Sequence, residues 1–270
     1  MIHNLLFLLV LAVETFNSVS SAKFKVDASK VIILLSHGRS GSSELAGVLG
    51  NIFNSWFGNE LLGSNTQQMK DLVDPYNTML RFLASAQAKK PGKFVGFKWK
   101  PYFHNDEFQK AWVWMSVNNV KVVYNTRNPL DVIISTMRTH DQNGVYNCQA
   151  NDPNCIETQK SITTKLNIPV VQEQLTHLEE EYIKIAAQLR ENNISYYHVT
   201  YEGINYGTMQ QRIKYVQTMT DYIQPGLTIT NKVFDVHTAP IGHYHQNESV
   251  LNYNELVTAL KNTRYEQYLH

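Results

Sequence analysis

Apolar positions follow two rhythms along the chain, and the rhythms alternate. KVIILL (30–35) is unbroken after its lysine, as expected of a strand covered on both faces. SSELAGVLGNIF (42–53) then spaces Leu45, Val48, Leu49 and Ile52 as one side of a helix. KFVGFKWK (93–100) predicts a second strand, and NDEFQKAWVWMSV a helix after it. VKVVYNT (120–126) and PLDVIISTMRTH repeat the pair. A long amphipathic helix is predicted over 168–192, with Pro169 near its start, and a fourth strand over ISYYHVTYEGI (194–204). Two helical patterns follow near 208–223 and 253–268, while 64–92 and 139–168 read as loops. Strands separated by helices make the expected fold class α/β, a three-layer sandwich with a central parallel sheet flanked by helices. In such sheets ligands sit beyond the carboxyl ends of the strands, where the loops after the first and third strands lie.

Composition narrows the picture. The chain has 270 residues, 43% of them hydrophobic, which suits one large domain over 23–270. Lys and Arg number 24 against 23 Asp and Glu, so no basic excess points to nucleic acid. The first 22 residues carry a short apolar run, Leu5 to Val13, then small polar residues ending in Ser20-Ser21-Ala22. That is the layout of a signal peptide cut after Ala22, although no Lys or Arg precedes the run. The run falls short of the ~20 apolar residues of a span. The alternatives are a retained signal anchor, the one case in which a membrane would be a partner, and a buried first helix or strand. Cys148 and Cys155, the chain's two cysteines, lie seven residues apart in a polar loop. They suit a local disulfide in an oxidising compartment and argue against zinc. Two sequons, Asn193-Ile194-Ser195 and Asn247-Glu248-Ser249, agree with the secretory pathway, whether Golgi lumen or secretion.

The loop SHGRSGSSEL (36–45) raises the sharpest chemical question. Gly38 and Gly41 tolerate the angles of a tight turn. Ser42 and Ser43 fall at a helix N-terminus, where free N–H groups and the dipole favour an anion. The hydroxyls of Ser40, Ser42 and Ser43 add donors, and Arg39 adds charge. A phosphate-like anion fits this loop, and a plain Ser-capped helix after a glycine turn is the alternative. A nucleotide triphosphatase or kinase would need GxxxxGK[ST], but here the glycines are three apart and Ser follows Gly41.

Arg39-Ser40-Gly41-Ser42-Ser43 resembles the 5′-phosphosulfate loop of sulfotransferases, whose donor is 3′-phosphoadenosine 5′-phosphosulfate (PAPS). Their second motif is similar to KVVYNTRNPLDVIISTMR, with Arg127, Asn128, Pro129 and Ser135. The resemblance implies that Arg127 and Ser135 hold the 3′-phosphate. Asn128 suits a helix cap and Pro129 its first turn. VTYEGI (199–204) is similar to a Tyr-Glu-Asp-Leu stretch of Golgi-type and bacterial members, and NYNELVTALKNTRYEQYL to their C-terminal helix. The resemblance spans roughly residues 30 to 268, has a P-loop-like fold, and points to the Golgi or bacterial carbohydrate sulfotransferase-like branch. It implies sulfuryl transfer to a hydroxyl without metal. The acceptor would be a glycan foremost, with a small molecule or protein tyrosine as alternatives.

Cytosolic members place a catalytic His where this chain has Lys100, in FKWKPYF. Lysine is a poor base near neutral pH. Other branches use a Glu in a Gly-Glu setting after the first helix, which FGNELLG (57–63) resembles, making Glu60 the candidate base. An ordinary solvated loop Glu is the alternative. Glu44 competes for that role but reads as a helix-dipole or capping residue, and His104 and His140 are further candidates. Lys98 resembles the lysine that stabilises the bridging oxygen in cytosolic members. Alternation puts Lys98 and Lys100 on one face, with Phe97 and Trp99 opposite. Trp56, Phe57, Tyr102 and Phe103 line an acceptor site or belong to the core. The competing function is a nucleotide- or anion-binding protein of this fold without turnover, and a P-loop kinase is a third reading.

Overall fold

Six consecutive buried residues, Val31–Ser36, form strand β1 at the centre of the molecule. Val31, Ile33 and Leu35 enter one hydrophobic cluster while Ile32 and Leu34 enter another, so both faces of the strand are covered. The computed structural model describes residues 24–62, 74–101, 106–140, 148, 152–236 and 245–270. The leader, Tyr102, Phe103 and His104 lie outside the described residues, as does the side chain of His140.

From β1 the chain runs through α1 (Ser42–Phe53), β2 (Trp56–Glu60), α2 (Pro75–Lys89), β3 (Val95–Trp99) and α3 (Asp106–Val117). It continues with β4 (Lys121–Thr126), α4 (Pro129–His140), α5 (Pro153–Ser161), α6 (Ile168–Glu191) and β5 (Tyr196–Thr200). The short helix α7 (Tyr201–Asn205) leads to α8 (Met209–Ile223), α9 (Gln246–Ser249) and α10 (Tyr253–Leu260). The strands form one parallel sheet in the order β2-β3-β1-β4-β5. Residues from α2, α3 and the end of α6 pack on one face, and residues from α1 and α8 on the other. The α/β class with a parallel sheet between helical layers is thus the observed one. A third cluster joins α4, the start of α6 and α10 beside the sheet. Among the described residues no helix is long and apolar enough to cross a membrane.

Five expectations are corrected. The segment 64–92, read as a loop, contains α2, with Asp74 capping it through the Asn77 N–H at 3.0 Å and Pro75 at its first turn. The segment 139–168 likewise contains α5. A fifth strand, β2, sits at the sheet edge, where its pairing to β3 compensates for a Gly and an Asn in its five residues. The strand expected over 194–204 ends at Thr200, whose side chain accepts from the Gly203 N–H and starts α7. The last helix stops at Leu260, and only Glu266–Tyr268 turns helically again, as a 3₁₀ segment.

The chain leaves β1 toward β2 on one side and leaves β4 toward β5 on the other. At the carboxyl edge the two strands therefore open a crevice between their loops, the usual ligand position in such sheets.

Candidate active site

Both arginine motifs meet in that crevice. Gly41 caps α1 at φ +78°, and a Cβ there would come within 2.3 Å of the Tyr201 ring. Only glycine satisfies the left-handed backbone and the close approach together. No described side chain caps α1, so its first N–H groups face the loop end. The other left-handed residue is Arg39 at φ +62°, and Gly38 is not among those with positive φ, which corrects the expected roles of the two loop positions. Such a conformation costs a non-glycine residue roughly 1–2 kcal/mol. Two contacts hold it: the Arg39 carbonyl accepts from Arg127 Nη1 at 3.2 Å, and Arg39 Nε donates to Ser135 Oγ at 3.1 Å. Ser40 is buried, with its hydroxyl on the His37 carbonyl at 2.7 Å and its own carbonyl accepting from Asn125 Nδ2 at 2.8 Å.

Arg127, 8% exposed, begins where β4 ends. The Tyr182 hydroxyl donates to its carbonyl at 3.0 Å and accepts from its N–H at 3.4 Å. Its guanidinium lies 4.3 Å from the centre of the Tyr201 ring and 4.0 Å from Asp131. Asn128 Oδ1 accepts from the Leu130 N–H at 2.9 Å and Pro129 is the first residue of α4, so the helix starts in the way its sequence suggests. The Asn128 N–H donates to Glu202 of α7 at 2.8 Å.

The strand β3 supplies the third arm. Phe97 and Trp99 pack into the α2–α3 face, while Lys98, 6% exposed, turns to the α1 face and donates to Ser43 Oγ at 2.9 Å. Burial lowers the Lys98 pKa, with the Lys100 charge adding and the Glu60 charge opposing. The pairing of β2 with β3 shifts between Gly58 and Glu60, so that Glu60 stands opposite Lys98. Across this bulge Glu60 Oε1 meets Lys100 Nζ at 2.5 Å, with both side chains mostly buried. Glu60 is thus an ordered, ion-paired carboxylate at a strand end rather than a solvated loop residue.

Glu44 does not cap α1, but it stands in the first turn, where an acidic residue meets the helix dipole. It is buried in the first turn of α1, and its Oε2 accepts from Asn205 Nδ2 at 3.0 Å. Burial pushes its pKa up to about 7, against the opposing effect of Asn205 and of Arg212 and Arg127.

Arg39 to Ser43, Glu60, Lys98, Arg127 and Ser135 therefore gather at the carboxyl edge of the sheet, whereas Trp56 and Phe57, expected to line an acceptor site or to belong to the core, begin β2 at the opposite end, with Trp56 stacked on Phe82 and Phe57 packed against the α1–α8 face. Asn125 and Tyr182 were missed by sequence reasoning, whereas Tyr201 lies in the stretch VTYEGI that the resemblance singled out. Asn125 carried a signal, since a fully buried amide ending an apolar strand needs a partner. Tyr182 carried none, being an aromatic in an ordinary helical pattern. Cys148 and Cys155 are joined by a disulfide with Cα atoms 5.6 Å apart. Among the described residues no three His, Cys, Asp or Glu side chains converge as a metal site.

No family model and no curated protein matches the chain. Among solved structures it is similar to mouse sulfotransferase SULT7A1 complexed with PAP, at 14% identity over 90% of this chain and 77% of that one, with a TM-score of 0.41. It is also similar to retinol dehydratase in a complex with retinol and PAP, at 18% identity over 76% of this chain and 62% of that one, with a TM-score of 0.40. A retinol dehydratase in complex with androsterone and inactive cofactor PAP is similar at 16% identity over 84% of this chain and 70% of that one, again with a TM-score of 0.40.

Proposed function

We propose that the chain is a sulfotransferase that uses PAPS to sulfate a hydroxyl acceptor in the secretory pathway. One observation carries the reading: a cationic crevice built from two separate anion arms shares the carboxyl edge of the sheet with an ion-paired carboxylate two strands from β1. Arg39, the Ser42 and Ser43 amides and hydroxyls, and Lys98 suit the 5′-phosphosulfate. Arg127 and Ser135 suit the 3′-phosphate. The donor set fits such a ligand, being cationic and rich in N–H and O–H groups. When bound, the nucleotide supplies a sulfuryl group whose bond to the phosphate oxygen breaks as the bond to the acceptor oxygen forms. Glu60 takes the acceptor proton, with Lys100 fixing its carboxylate, and Lys98 balances the charge left on the departing phosphate.

A glycan is the foremost acceptor, with a small molecule or a protein tyrosine as alternatives. The Cys148–Cys155 disulfide supports an oxidising compartment, and with it the signal peptide over residues 1–22. The same fold without turnover is the second reading, favoured by the closeness of the Glu60–Lys100 pair, which holds the base already engaged.

Calorimetric titration of the purified protein with 3′-phosphoadenosine 5′-phosphate, ADP and ATP tests the reading. The expected result is binding that requires the 3′-phosphate and weakens about 100-fold in Arg127→Ala, the loss of one charged, forked donor. Equal or tighter binding of ATP, indifferent to Arg127, would sink it.

A further inference from the structure

Glu44 is a buried carboxyl directly behind a loop built for anions, and the proposed donor chemistry gives it no task. It belongs to the first turn of α1, the turn whose N–H groups face the loop end. Its partner is the side-chain amide of Asn205, which also donates to the Tyr201 carbonyl at 3.2 Å. The groups facing it are Asn205 and the Tyr201 phenol of α7, Arg212 of α8, and Arg127 at the end of β4. Arg212 is turned away in part, donating Nε to the Ile204 carbonyl at 2.6 Å and lying over the Phe234 ring. An ionised Glu44 would stand as a second negative charge beside any anion held by α1, with little water between them to screen it. A protonated Glu44 removes that charge and keeps the Asn205 hydrogen bond, because a carboxylic acid still accepts.

We propose that Glu44 is a proton-linked element of the anion site, so that a phosphate-bearing ligand binds together with uptake of a proton by the Glu44 carboxylate. This rests on the proposed donor site. The sign follows from linkage. Burial already pushes the free carboxyl up to about 7, and a neighbouring anion raises it further. Affinity is therefore insensitive to Glu44 well below neutral pH and falls as pH rises through 7, levelling once the bound form also ionises.

The test is calorimetry of the full chain with 3′-phosphoadenosine 5′-phosphate in two buffers of different ionisation enthalpy, for wild type and Glu44→Gln. Wild type is expected to take up about 0.5 proton per nucleotide at pH 7.5 and to lose about fivefold in affinity, relative to the variant, between pH 6.5 and 8.5. Glu44→Gln keeps the acceptor for Asn205, and should bind as wild type does at pH 6.5 but more tightly at pH 8.5. Equal proton uptake in the two proteins overturns the proposal while leaving the donor site standing. Should the variant fail to fold, zero uptake by wild type alone at pH 7.5 overturns it too. Binding of nucleotide by neither protein overturns this proposal and the donor site together.

Discussion

The crevice between β1 and β4 and the edge formed by β2 and β3 are held in different ways. At the crevice Arg39, Ser40 and Arg127 are each fastened by another element. Asn125 of β4 holds Ser40, Arg127 holds the Arg39 carbonyl, Ser135 of α4 receives Arg39, and Tyr182 of α6 brackets Arg127. These contacts join residues 55 to 96 positions apart and rest on the two strands adjoining the sheet centre. At the edge, Glu60 stands on the outermost strand, after a register shift, and its fastening is one ion pair with Lys100. Preorganised donors with no freedom to reorient suit a ligand whose charge is constant. A carboxylate on an edge strand suits a group that must meet acceptors brought in by the neighbouring loops. Under the proposed function the donor side is specified by the fold, and the acceptor side by one strand end.

The sharpest way to break this division is at Glu60. Glu60→Gln keeps the shape and loses the proton acceptor, so turnover should fall about 10²- to 10⁴-fold. Nucleotide affinity, which belongs to the other region, should stay within a few-fold. Steady-state kinetics beside calorimetry separates the two, and a variant that loses both would show that Glu60 serves the donor site. Gly41→Ala attacks the opposite region. It forces a Cβ into the Tyr201 ring at a position with φ +78°, and should cost about 2–4 kcal/mol from overpacking and backbone strain combined. Thermal unfolding measures that loss. Nucleotide binding should weaken with it, because the Tyr201 ring also supports Arg127.

The same contrast governs how far the sequence could be read. β1 and β4 were legible because central strands covered on both faces are written as unbroken apolar runs. The bounds of α1 and α4 were legible because Gly41 and Asn128-Pro129 mark their starts chemically. β2 was not, since an edge strand owes its existence to its partner: WFGNE has a weak strand preference, and Gly58 is needed because the Phe82 ring would lie 2.2 Å from a Cβ there. α2 was readable in principle, with Tyr76, Met79, Leu80, Leu83 and Ala86 at helical spacing and Asp74-Pro75 ahead of them. Arg81 and Ser85 are exposed on the opposite side of the helix, so the apolar face itself is continuous and the segment's polar residues belong to its outer face. Within the site, Arg39 and Arg127 stand out because each lies in a local motif of loop and helix start. The meeting of Glu60, Lys98 and Lys100 depends on the β2–β3 register and its bulge, a long-range pairing that no window of sequence contains. The burial of Glu44 was not legible for a related reason. Its neighbours in the chain describe a helix start, whereas its environment comes from Asn205, 161 residues away.

Asn125 offers the mildest and most discriminating test. Its amide donates to the Ser40 carbonyl at 2.8 Å and to the Ser40 hydroxyl at 3.3 Å, both in buried surroundings. Asn125→Ala leaves that carbonyl without its donor and should cost about 1–2 kcal/mol in stability, with a nucleotide affinity roughly tenfold weaker as the loop loosens. Asn125→Asp is nearly isosteric but, once ionised, can only accept, and it sets a negative charge against the Ser40 carbonyl under the anion loop. It should therefore weaken nucleotide binding more than the alanine does, although it removes less volume. The ordering of the two variants separates a loop that merely needs packing from one that needs a donor at that point. At saturating nucleotide both should turn over near the wild-type rate, since Glu60, Lys98 and Lys100 are untouched. A fall in the saturated rate as large as the fall in affinity would mean that the loop also sets the position of the base, and that the two regions work as one.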